Sequence, residues 1–137
     1  MQQEKEQRSK SMSSEEFIDK VRLVAKKDTS ADPDGWTEVN PLWGHCAVVA
    51  LLAQDIFGGT LLKGSLKEHP KYSYLRSHIW NQLDNGAVED FTAEQYSDLS
   101  HIDLVVEERP REQILSYPDT VRRYSLLKER FNLNDSR

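Results

Sequence analysis

The sequence predicts one α+β domain: a central helix led by Cys46 packed on a small antiparallel sheet, with a helix at each end of the chain. Three observations carry this reading. An apolar run from Cys46 to Phe57, closed by Gly58-Gly59, has the length and punctuation of a buried helix. Two segments of strand composition, His78–Leu83 and Ala87–Thr92, flank Asp84-Asn85-Gly86 and read as a hairpin. Helical spacing of apolar residues recurs near both termini.

In chain order, residues 1–12 are polar and too poor in apolar groups to fold alone, so a disordered tail is expected there and one domain over 13–137. Ser13 and Glu16 form a capping box for a helix with Phe17, Val21 and Val24 on its apolar face, ending near Lys27. Asp28 to Asn40, with Asp32-Pro33-Asp34-Gly35, is a loop anchored by Trp36. Pro41 and Gly44 keep the approach to Cys46 tight, and Thr60–Leu66 reads as a strand after the central helix. Thr92 and Gln95 look like a second capping box, opening a short helix at Ala93–Tyr96. Ile102–Val106 is strand or loop, interrupted by Pro110. Asp119 is expected to cap a last helix with Val121, Tyr124, Leu127 and Phe131 inward, and Arg122, Arg123, Lys128 and Arg130 as its solvated face.

Composition narrows the function classes. The net charge is -5, and the basic residues are scattered instead of forming a stripe, so nucleic acid is not an expected partner. The longest apolar run, Cys46–Ala53, falls short of the roughly twenty residues that span a bilayer, so no membrane insertion is expected. One cysteine rules out an internal disulfide, and the polar first residues lack the core of a signal peptide, which makes the cytoplasm the expected location. No spacing of His, Cys, Asp and Glu suggests a metal site, and no cofactor is expected.

The chemistry centres on Cys46. A helix N-terminus exposes unpaired N–H groups and partial positive charge, which favours a thiolate. The other reading is simple burial in an apolar helix. Register decides whether a base can join it. With a three-residue turn Leu83 pairs with Ala87 and Trp80 with Asp90, which puts His78, Trp80, Val88 and Asp90 on one face and Ile79, Leu83, Ala87 and Phe91 on the other. A two-residue Asn85-Gly86 turn would send Asp90 to the opposite face. In the first register His78 takes the proton of Cys46 and Asp90 orients the imidazole, a Cys46–His78–Asp90 triad. The Cys46 backbone N–H is one oxyanion-hole donor, and the Asn40 amide is the candidate for the second. Trp36 and Trp43, near the nucleophile, either wall a substrate groove or belong to the core. His45 is a rival base, disfavoured because adjacent helical residues do not face each other. His69 and His101 lie in polar segments and are expected to be exposed.

The motifs Asn40-Pro41-x-x-Gly44-x-Cys46-Ala47-Val48-x-Ala50-Leu51, Gly58-Gly59, His78-x-Trp80-Asn81, Asp90-Phe91-Thr92-x-x-Gln95-Tyr96 and Arg122-Arg123-Tyr124-x-Leu126-Leu127 resemble the bacterial YunG-like family of small proteins. The order Cys, His, Asp, with the nucleophile leading a buried helix, is similar to papain-like and transglutaminase-like thiol enzymes. That resemblance implies a papain-like minimal domain acting as a cysteine hydrolase or acyltransferase on a peptide or other amide-containing substrate, through a thioester. Papain-like peptidases carry a glutamine six residues before the nucleophile and a glycine two before it; here these positions hold Asn40, with a shorter amide side chain, and Gly44. The alternatives are a non-catalytic protein-binding module with the same fold, whose acidic balance suits a basic partner, and a redox sensor using Cys46 alone.

Overall fold

Ser13 closes the first helix as the capping-box pattern requires: its hydroxyl accepts from the Glu16 N–H and the Glu16 carboxylate accepts from the Ser13 N–H. The computed structural model, which describes residues 12–96 and 105–135, continues from this helix, α1 (Ser14–Val24), to α2 (Cys46–Phe57). Strands β1 (Thr60–Ser65), β2 (Ser77–Gln82), β3 (Val88–Glu89) and β4 (Val106–Arg109) follow, then α3 (Arg111–Ile114) and α4 (Pro118–Asp135). The fold is α+β. The four strands form one antiparallel sheet in the order β3-β2-β1-β4.

α2 is the centre of the molecule. Val48 to Ala53 are all buried, a helix apolar on every side and therefore covered on every side. It packs on β1 and β2 and, away from the sheet, on α4, which in turn contacts α1. Phe17 of α1 joins the layers: its ring lies 5.5 Å from Phe57, 5.0 Å from Phe91 and 5.6 Å from Phe131.

The hairpin has the three-residue-turn register. Asn81 pairs with Glu89 and Gln82 with Val88, and the Leu83 N–H donates to Ala87 O at 2.8 Å. Gly86 takes φ +89°, the left-handed conformation this turn needs. Ile79, Leu83 and Phe91 face the core as expected, whereas Ala87 is exposed.

Several elements differ from expectation, each for a local reason. α1 ends at Val24, because the Thr29 side chain bonds the Lys26 N–H and carbonyl and closes a separate 3-10 turn at Lys27–Thr29. β3 is only Val88–Glu89, because Asp90 leaves the ladder to accept the Thr92 N–H on its side chain at 3.1 Å. The expected capping box at Thr92 and Gln95 is not formed. Ala93–Gln95 is a 3-10 turn without a side-chain cap, and the Gln95 amide turns inward. Among the described residues of Ile102–Val106 only Val106 joins a strand: β4 runs on to Arg109 and pairs with the edge of β1 away from β2, while Ile102–Leu104 lie outside the described residues.

α4 begins at Pro118, whose missing N–H costs nothing in a first turn, so Asp119 lies inside the helix and pairs with Arg122 and Arg123. Val121 is 40% exposed, not inward, and Arg123 is buried, not solvated. Asp119, Thr120 and the Thr29 carbonyl satisfy the Arg123 guanidinium there. Residues 1–11 of the expected tail and His101 lie outside the described residues, while Met12 packs against the core. Among the described residues no helix is long and apolar enough to cross a membrane.

Candidate functional site

Gly44 and His45 deliver the chain to Cys46. Gly44 sits at φ +76°, and a Cβ there would lie 2.2 Å from Ser30 Oγ and 3.0 Å from the backbone nitrogens of Ala31 and Asp32, so only glycine passes between the two loops. Cys46 is the first residue of α2, half-buried, with a free thiol. Its N–H belongs to the first turn, which helix geometry leaves without intrahelical acceptors.

His78 extends from β2 and is fully buried. Its Nε2 lies 2.6 Å from Asp90 Oδ2, and its Nδ1 lies 3.1 Å from the Tyr96 hydroxyl. Trp80, two residues along the same strand face, stacks on the imidazole at 5.4 Å. Asp90 is itself held: its Oδ1 accepts from the Thr92 N–H at 3.1 Å and the Thr92 hydroxyl at 3.4 Å, leaving Oδ2 for the histidine. Asn81 on β2 donates to the Ala50 carbonyl at 3.0 Å and ties the strand carrying His78 to the helix led by Cys46.

Burial alone disfavours the His78 imidazolium, but the hydrogen bond to Asp90, the hydrogen bond to Cys46 and the charges of both outweigh it and raise the pKa to about 9. The structure thus pairs His78 with Asp90, and Cys46 is near enough to help raise the imidazole pKa. His45 is the opposite case. It is fully buried, and because the Trp43 carbonyl 2.9 Å from Nδ1 only accepts, Nδ1 carries the proton and Nε2 faces Thr29 Oγ1 at 2.7 Å. Burial pushes its pKa down to about 4, so it stays neutral, enclosed by structural partners.

The two histidines predict a stability profile. For His45 the folded pKa lies below the ordinary 6.5, so its stabilisation is complete above 6.5 and is lost as pH falls toward 4. For His78 the folded pKa lies above 6.5, so its stabilisation is complete below 6.5 and is lost as pH rises through 9. Urea midpoints measured from pH 4 to 9 are expected to peak near 6.5, each limb falling by up to about 3 kcal/mol. Replacing His45 with glutamine should flatten the acid limb alone; an acid limb unchanged in that variant would contradict the assignment.

Other residues singled out in the sequence are placed differently. Asn40 Nδ2 donates one of its two hydrogens to the Gln95 carbonyl at 3.1 Å, which ties the residue to the turn after β3. Trp43 is buried, donates to Asp32 at 2.9 Å and clusters with Leu66, Tyr72 and Tyr96, so it is core. Trp36 is half-buried against the same cluster and donates to the Pro41 carbonyl at 2.8 Å. His69 is half-buried over Tyr72, where its Nδ1 accepts the Lys71 and Tyr72 N–H groups.

Thr92, Gln95 and Tyr96 were not read as site residues from the sequence. Asp90-x-Thr92 carries the local signature of a side-chain-to-backbone turn, which marks Thr92. Nothing local marks the other two. Gln95 is 4% exposed; its Oε1 accepts the Gly44 N–H at 3.0 Å, and its Nε2 has no hydrogen-bond partner among the described residues.

Comparison with known proteins finds a family match over most of the chain. The model of a family described as YunG protein matches residues 13–134. The uncharacterized protein YunG of Bacillus subtilis (strain 168) is 38% identical over 80 residues, a stretch covering 58% of this chain and 63% of that protein. No solved structure matches the chain.

Proposed function

The chain belongs to the YunG family, and we propose that Cys46, His78 and Asp90 make it a papain-like thiol hydrolase or acyltransferase acting on amide or isopeptide bonds. The observation that carries this reading is the buried His78 imidazole: its Nε2 is 2.6 Å from Asp90 Oδ2, and against the effect of burial Asp90 and Cys46 together raise its pKa to about 9. With Nε2 held by the carboxylate, Nδ1, which also lies 3.1 Å from the Tyr96 hydroxyl, is the nitrogen that exchanges a proton with the thiol.

The chemistry follows from that arrangement. His78 takes the Cys46 proton, and the sulfur attacks the substrate carbonyl carbon, forming the C–S bond while the π electron pair moves onto oxygen. Collapse of the tetrahedral adduct breaks the C–N bond, and the imidazolium returns its proton to the departing amine. Water, or an acceptor amine, then attacks the thioester by the same path. Asp90 holds the ring with its proton on Nε2 and stabilises the imidazolium throughout.

Iodoacetamide alkylation of Cys46 tests the pairing without a known substrate. In the wild type the rate at pH 6 is expected to exceed that of His78→Ala by on the order of 10- to 100-fold, since an unpaired cysteine with a pKa near 8.5 is almost wholly protonated there. Equal profiles in the two proteins would make Cys46 a packing residue and favour a protein-binding module.

A further inference from the structure

The acyl-transfer reading requires a donor pair for the oxygen that becomes negative, and Asn40 Nδ2 is anchored by one of its hydrogens to the Gln95 carbonyl. Gln95 itself has the donor to spare. Its Oε1 faces the Gly44 N–H at 3.0 Å, which fixes the orientation of the amide, since the opposite flip would set donor against donor. The Nε2 end is thereby directed away from Gly44 and is buried with no acceptor among the described residues. A buried amide donor left without a partner carries its full desolvation penalty, an expense that functional sites tolerate when a ligand completes the bond. Gly44 is two residues ahead of Cys46, so the amide is anchored on the loop that leads into the nucleophile. The next residue, Tyr96, places its hydroxyl 3.1 Å from His78 Nδ1.

We propose that the Gln95 side-chain amide and the Cys46 backbone N–H together form the oxyanion hole, with Asn40 positioning the segment that carries Gln95. This rests on the acyl-transfer reading above. As the Cys46 sulfur attacks a carbonyl carbon, the charge that develops on oxygen is met by Nε2–H of Gln95 and N–H of Cys46. Both groups are in place before the charge appears, so little reorganisation is needed. The position differs from the glutamine of papain-like enzymes, which precedes the nucleophile; here the amide comes from the turn that follows Asp90.

Two reactions of the same thiol separate the possibilities. Acylation by p-nitrophenyl acetate, read as a p-nitrophenolate burst, passes through an oxyanion; alkylation by iodoacetamide displaces iodide from a saturated carbon and does not. Gln95→Glu retains an acceptor for the Gly44 N–H but removes the donor, and the ratio of acylation to alkylation rate is expected to fall about 10²- to 10³-fold below wild type. A ratio within threefold of wild type overturns the assignment. So does a parallel loss of both rates, which would make Gln95 a positioning residue for the Gly44 loop. Should the variant not fold, the wild type serves: adding acetaldehyde to form the Cys46 hemithioacetal is expected to move one Gln95 side-chain amide proton downfield in the NMR spectrum. An unmoved signal overturns the assignment. Failure of the acyl-transfer reading registers differently, as a wild-type protein with no burst and an alkylation rate insensitive to His78→Ala; it would remove the oxyanion hole along with the reaction.

Discussion

Asp90→Asn is expected to reduce acylation by p-nitrophenyl acetate about 10³- to 10⁴-fold while leaving the fold intact, and Thr92 is the reason the loss should be so large. The oxygen of the new amide will occupy the Oδ1 position, because the Thr92 N–H and hydroxyl both point at it as donors. The amide nitrogen then faces His78 Nε2 at the position where Asp90 Oδ2 now lies 2.6 Å away. Two donors cannot share that contact, so Nε2 becomes the acceptor and the ring proton moves to Nδ1, the nitrogen that must receive the Cys46 proton. The wrong tautomer of a triad histidine carries a penalty of this order. The imidazolium also loses the carboxylate that helps hold its pKa at about 9, so alkylation near pH 6 should slow as well. Burst kinetics of the two proteins, with circular dichroism to verify folding, check the result. A variant within tenfold of wild type would mean that Asp90 orients the ring only weakly and that the triad assignment is wrong.

Phe17→Ala is expected to cost about 3–5 kcal/mol of folding stability, the usual range for removing a buried phenylalanine. Phe17 has no exposed surface and lies against Phe57, Phe91 and Phe131, from α2, the segment after β3 and α4 respectively. Its removal leaves a void shared by three elements that cannot all close on it, so the cost should sit toward the upper part of that range. Against a total of roughly 5–15 kcal/mol for a domain, the variant should show a far lower urea midpoint with an unchanged slope. A loss under about 1 kcal/mol would mean that α1 is peripheral to the core. The two predictions meet at Phe91, the neighbour of Asp90: the aromatic cluster and the carboxylate share one short segment after β3, so loosening the core should also blur the position of Asp90.

The helices and the hairpin were legible because their signals are local. Ser13 with Glu16 starts α1, the apolar run from Cys46 to the glycine pair defines α2, and Gly86 selects the turn that sets the register of β2 against β3. Since side chains alternate along a strand, the shared face of His78 and Asp90 followed from the three-residue turn, one of two turns open in the sequence, and the structure has that register. The YunG family relationship was legible in the same motifs.

What stayed hidden depends on partners distant in sequence. Gln95 has the composition of a cap, yet its amide is captured by Gly44, 51 positions earlier. Arg123 has the spacing of a solvated helix face, but Thr29, 94 positions away, offers a carbonyl that lets it be buried. Asn40 has the right residue type for an oxyanion donor, and one of its amide hydrogens is taken by a carbonyl 55 positions on. Local propensity and periodicity determined which elements form and which way their faces turn, because those choices are settled within a few residues. Only the tertiary structure decided which polar groups have their hydrogen bonds satisfied and which buried donor is left over, because a hydrogen bond needs a specific atom within about 3 Å and the chain brings that atom from anywhere.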